Sequence, residues 1–178
     1  MIQIRKKLVW LTTTAIFIAL LIAAQAAAAP LGQFVVGPLV NLILIVAVMF
    51  QGFASGLTVA LLSPVFAKLL GIGPLWAIIP FVMLGNAVLI AIWYAVGKRQ
   101  FANKHAVRAV ALVLAAGGKF AALYVGVVHI AVPLLLHLPE PQATAVSSMF
   151  ALPQLFTALI GGVLAMAVLP VIEKLRKE

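Results

Sequence analysis

The sequence predicts an all-α integral membrane protein: six transmembrane helices forming one compact bundle, with residues 1–178 as a single domain and an N-in/C-in topology. Three observations carry that expectation. Hydrophobic residues make up 66% of the chain and charged residues 8%, and the mean hydropathy is +1.27, far more apolar than a soluble domain. Apolar runs of about 20 residues alternate with short Gly-, Pro- or Lys-containing connections, which leaves room for about six crossings and none for a separate soluble domain. Ten of the twelve Lys and Arg residues fall into three groups: Arg5, Lys6 and Lys7; Lys98, Arg99, Lys104 and Arg108; and Lys174, Arg176 and Lys177. Basic residues near span ends favour the cytoplasmic side, so these groups place both termini and the fourth connection inside.

The first helix covers about residues 8–29, between the basic start and Pro30. Its AAQAAAAP end also suits a signal-peptide cleavage site, but the apolar run is longer than an ordinary h-region and reads as a span. On it Ala15, Ala19 and Ala23 recur every four residues, so three small side chains share one face and allow a second helix to come close. Packing inside the chain's own bundle and docking on a partner both fit that ladder. The second helix, about residues 37–51, carries Asn41, and Gly52 turns the chain into the third, about residues 53–70. Pro64 in the third reads as a kink, since neighbours or hydroxyls can satisfy the freed carbonyl.

Gly71-Ile72-Gly73-Pro74 turns the chain again, and the fourth helix occupies about residues 75–97 with Gly85 and Asn86 near its middle. Trp76 at one end and Trp93 with Tyr94 near the other suggest interfacial aromatic belts. The fifth helix, about residues 106–128, contains Lys119. A connection over residues 129–147 follows, with an apolar part at 130–136 suited to a partial interfacial helix. The sixth helix, about residues 148–169, carries Pro153 and Gln154 early, and Pro170 with the tail IEKLRKE closes the chain.

Composition narrows the function classes. The net charge of +9 flanks apolar runs and lacks an aromatic-interleaved polar surface, so it reads as topology and not as nucleic-acid binding. No Cys is present, and three His with three Glu are a poor supply of metal ligands, so no metal site is expected. Asp is absent and Glu140, Glu173 and Glu178 fall outside the expected spans, which disfavours a self-powered carrier built on intramembrane carboxylates. Sodium binding by carbonyls keeps that class open. No G-x-S-x-G, H-E-x-x-H or P-loop pattern occurs, and no catalytic residue is assigned.

Lys119 marks the expected site, because an ionisable residue inside a span is costly and is read first as functional. At about 1.5 Å per residue, Asn41 lies roughly 6 Å, Gln154 about 9 Å and Asn86 about 17 Å below the outer helix ends, with Lys119 about 20 Å above the inner one. Together with Tyr124 and His129 they suit a cavity open to the outside. The bland alternatives are interhelical bonding for Asn41 and Asn86, repair of a carbonyl freed near Pro153 for Gln154, snorkelling for Lys119, and ordinary loop positions for His129 and His137. Lys119 has no carboxylate within the spans, so carbonyls, amides, water or a ligand anion must stabilise it, or it must be neutral.

The segments RKKLVWLTTTAIFIALLIAAQ and GPLVNLILIVAVMFQGFASGLTVALLSPVFAKLLGIGP, with the Ala15, Ala19, Ala23 ladder, resemble the substrate-binding S component of an energy-coupling factor (ECF) transporter. The resemblance extends to the size and six-helix layout of nearly the whole chain. It implies a vitamin-binding protein of the bacterial cytoplasmic membrane that docks through its first helix on a transmembrane coupling subunit served by two ATPase subunits. It further implies that ATP is used by those partners and that this chain binds no cofactor. In that family the S component is thought to topple in the membrane to deliver its substrate. The second and third helices look more like a cobalamin-type member, which implies cobalamin as substrate, with pantothenate, folate or another small nutrient as alternatives. A stand-alone small carrier or channel is the alternative class.

Overall fold

The structure, a computed structural model, describes residues 2–99 and 103–175; Arg176, Lys177 and Glu178, expected in the inner tail, lie outside the described residues. Every regular element among the described residues is helical. The chain forms α1 (Ile2–Ala28), α2 (Gln33–Gln51), α3 (Phe53–Leu69), α4 (Ile79–Gly97, entered through a 3-10 turn at Trp76–Ile78), α5 (Lys104–Leu123), α6 (Glu140–Met149) and α7 (Leu152–Leu175). Five helical stretches are long and apolar enough to cross a membrane: Gln3–Leu31, Gln33–Gln51, Trp76–Gly97, Lys104–Leu136 and Glu140–Lys174. The expected third span, Phe53–Leu69, is shorter, at 17 residues.

Several boundaries differ from expectation, each for a local reason. Helix α1 begins at Ile2 instead of residue 8, because Arg5, Lys6 and Lys7 are good helix formers that stay exposed in its first turns. Helix α2 begins at Gln33 instead of residue 37: Gly32, at φ 79°, makes the break, and Pro38 is accommodated inside the helix. Asn103 accepts hydrogen bonds from the backbone N–H groups of His105 and Ala106, both at 3.1 Å, and so starts α5 at Lys104.

The stretch expected as a connection is the largest difference. Beyond Leu123 the helix widens into a π-helix over Tyr124–Leu136 that continues α5 through Pro133. His137, in the left-handed region at φ 44°, ends it. Helix α6 then forms where a loop was expected, because Pro141 in its first turn lacks only a donor that the helix leaves unpaired there, and Glu140 faces the positive end of the macrodipole. Ser148 and Met149 therefore close α6 instead of opening the last helix, and Pro170 lies inside α7 instead of ending it.

Trp93 is a further correction, since it is fully buried in the core and not at an interface, while Trp76 and Tyr94 are exposed. The core joins Leu44 and Val48 of α2, Leu89 and Trp93 of α4, Ala115 of α5 and Leu169 of α7. Outside, large apolar side chains such as Leu11, Ile16, Val113, Phe156 and Leu164 are exposed, a surface compatible with a membrane protein.

Candidate functional site

A cavity of about 410 Å3 opens where the end of α1, the start of α2, the end of α3, the start of α4, the second half of α5 and the start of α7 meet. Successive helices thus alternate in direction around it. The basic groups at the start of α1, at the α4–α5 connection and at the end of α7 therefore belong to the opposite end of the bundle.

Two close crossings bring polar groups into the cavity. A side chain at Gly161 would place its Cβ 2.6 Å from both the Asn41 Cβ and the Pro38 carbonyl oxygen, so only glycine lets α7 lie against α2 at the level of Asn41. Gly85 does the same for α4 and α5, where an added Cβ would come 2.8 Å from Leu123 Cγ. These contacts hold Asn41 and Asn86 on either side of Lys119. The Lys119 ammonium donates to Asn41 Oδ1 at 2.6 Å and to Asn86 Oδ1 at 2.8 Å. All three side chains are buried and line the cavity.

Lys119 does not snorkel; it is 4% exposed and turned inward. The structure therefore brings together three of the expected residues. Gln154 also lines the cavity, but its side-chain amide donates to the Met149 carbonyl at 3.2 Å. That carbonyl is the last of α6, where a helix leaves its carbonyls without helical donors, so the bond caps a helix end. Gln33 donates to the same carbonyl at 2.8 Å. Tyr124 and His129 are placed elsewhere: neither lines the cavity, and they pack edge to face at 4.9 Å, with Phe120 stacked on Tyr124.

Ser63 and Gln25 are cavity residues that sequence reasoning missed. Ser63 is buried and its Oγ has no hydrogen-bond partner among the described residues. Its position before Pro64 drew attention to the kink and away from the hydroxyl. Below Lys119 towards the basic end the packing is apolar, through Leu44, Val48, Leu89, Trp93, Ala111 and Ala115, all fully buried. The cavity is thus closed at its floor.

On α1, Ala15, Ala19 and Ala23 are all exposed, on the side away from the buried Thr14, Leu21 and Ala28. Packing within the chain's own bundle does not account for the ladder. Helix α1 is instead held by its other face, where Thr14 and Ser55 of α3 share a buried hydrogen bond of 2.7 Å. Among the described residues no cluster of His, Asp or Glu could hold a metal ion. No family model, no curated protein and no solved structure matches this chain.

Proposed function

We propose that this chain is a nutrient-capturing membrane subunit of the ECF S-component kind, spanning the bacterial cytoplasmic membrane six times with both termini inside. It takes its substrate from outside into the Lys119 cavity, and a coupling subunit with two ATPase subunits drives release to the cytoplasm. One observation carries this reading: the cavity is blind. It opens at the end of the bundle away from the basic groups, and an apolar plug from Leu44 to Trp93 closes it below Lys119. A channel needs a continuous polar route to the other side and a complete carrier must open the floor with its own helices, whereas a capture protein needs a closed floor and a partner to open it.

Orientation follows from the basic groups, which favour the inner face. Five of the six crossings are long enough by themselves; the 17-residue α3 is at the lower limit for a span. The exposed Ala15, Ala19 and Ala23 face fits a docking surface on the coupling subunit. At about 410 Å3 the cavity has the size of a small-ligand site, which favours a pantothenate-sized nutrient over cobalamin, whose corrin ring would remain largely outside.

The test is Ala19→Trp in cells that also express the coupling and ATPase subunits. Uptake of the bound nutrient should fall to background while binding to the purified chain is kept. Unchanged uptake, or uptake by this chain without partners, would remove the docking reading and favour a stand-alone carrier.

A further inference from the structure

The donors around Lys119 outnumber the acceptors, and that imbalance defines a ligand. An ammonium has three N–H donors and no acceptor, so both neighbouring amides must turn their oxygens towards it. Two donors are used on Asn41 and Asn86, and the third has no acceptor among the described residues. With their oxygens so committed, the NH2 groups of Asn41 and Asn86 point away from the ammonium. Ser63 Oγ, buried and unpartnered, lines the same cavity. Among the described residues, Lys119 is the one charged residue lining it. The floor therefore offers one positive charge and a surplus of donors with no anion of its own.

Resting on the capture reading above, we propose that this floor is a carboxylate site, and that the substrate is a small aliphatic monocarboxylic acid entering acid end first. The carboxylate accepts from Lys119 Nζ, Ser63 Oγ and the Asn41 and Asn86 amides, an arrangement of charge-assisted bonds. Burial decides that the anion is terminal: Lys119, Asn41, Asn86 and Ser63 are all 4% exposed or less, so a charged group in the middle of a bulky molecule cannot reach them. The walls decide that the remainder is aliphatic. Among the described residues, Phe150 is the one aromatic ring lining the cavity, too little to hold a flat ring system by stacking. Gln25, which also lines the cavity, serves a hydroxyl or amide nearer the mouth.

The experiment is calorimetry on the full-length purified chain in lipid nanodiscs, with acids paired to neutral counterparts. The probes are pantothenate against panthenol, biotin against biotinamide, and lipoate against lipoamide, with cobalamin, riboflavin and thiamin alongside. At least one acid should bind, about 10- to 100-fold tighter than its neutral partner, as expected for losing a hydrogen bond to a charged group. Lys119→Met should bring that ratio close to one. Ser63→Ala should weaken the acid about tenfold without moving the unfolding temperature, since Ser63 Oγ makes no bond in the protein. If Lys119→Met does not fold, the acid-to-neutral ratio and Ser63→Ala decide alone. Equal affinity for acid and neutral partner, or binding of cobalamin, riboflavin or thiamin alone, overturns the carboxylate site and leaves the capture reading standing. If none of the nine compounds binds, the capture reading itself falls.

Discussion

Arg108 and Lys119 lie about three turns apart on α5, both shielded from solvent at 6% and 4% exposure, and the two ends of the bundle treat them in opposite ways. At the basic end Arg108 donates to the carboxylate of Glu173 on α7, so its charge is met within the fold. In the cavity Lys119 meets two amide oxygens and, among the described residues, no carboxylate. Dipoles take two of its three hydrogen bonds and leave its charge. Because burying an unneutralised ion costs several kcal/mol, a cation serving only to fasten helices together is better placed as Arg108 is. The contrast separates a charge committed to structure from one left for something else.

The sharpest way to break this contrast is at the committed pair. Glu173→Gln should lower stability by about 1–2 kcal/mol, because it strands the buried guanidinium; the value is kept small because Glu173 is itself 46% exposed and screened. Arg108→Met should cost less, since an exposed carboxylate rehydrates and the methionine packs in the apolar surroundings. Thermal unfolding in one detergent measures both. If Arg108→Met proved the more damaging, Arg108 would be acting through its packed stem and not through its charge, and the comparison with Lys119 would lose its basis.

Lys119→Met should act in the reverse sense. Without substrate its unfolding temperature should stay near that of the unsubstituted chain, within about 1 kcal/mol, because Asn41 and Asn86 can turn and bond to each other once the ammonium is gone. The added stability that a saturating ligand gives, which follows from its concentration relative to Kd, should vanish. Thermal shift with and without pantothenate reads both effects. A large loss of stability in the substrate-free protein would mean that Lys119 is fastening helices and belongs with Arg108.

How much of this was legible beforehand varies with the physics involved. Depth along a helix follows from counting residues, so Asn41, Asn86 and Lys119 were aligned before their contacts were known. Phase around the helix does not: Tyr124 and His129 lie at suitable heights, but the π-helical stretch carries them to a face that misses the cavity. Trp93 followed a composition rule that holds for helix ends, whereas Gly97 makes room for its ring inside the bundle. The Pro-Glu-Pro run of residues 139–141 reads as a loop by composition and as a helix start by position, and position wins. Ser63 was invisible for another reason, since no pattern in a sequence shows that a hydroxyl lacks a partner.

Gln154 is the case where the contrast between committed and uncommitted groups is finest. It lines the cavity, yet its amide already serves the Met149 carbonyl, and at 3.2 Å it is the longer of two bonds there, with Gln33 at 2.8 Å. Removing one of two donors to a single carbonyl leaves that carbonyl satisfied, so Gln154→Leu should cost no more than about 0.5 kcal/mol. Gln33→Leu should cost somewhat more, and the double variant more than the sum of the two, because only then does the Met149 carbonyl at the end of α6 stand alone. Acid binding should be unchanged in Gln154→Leu, which places the residue with Arg108 among groups committed to structure. A tenfold loss of affinity at unchanged stability would instead move Gln154 to the side of Lys119, and the cavity wall would then take part in recognition as well as its floor.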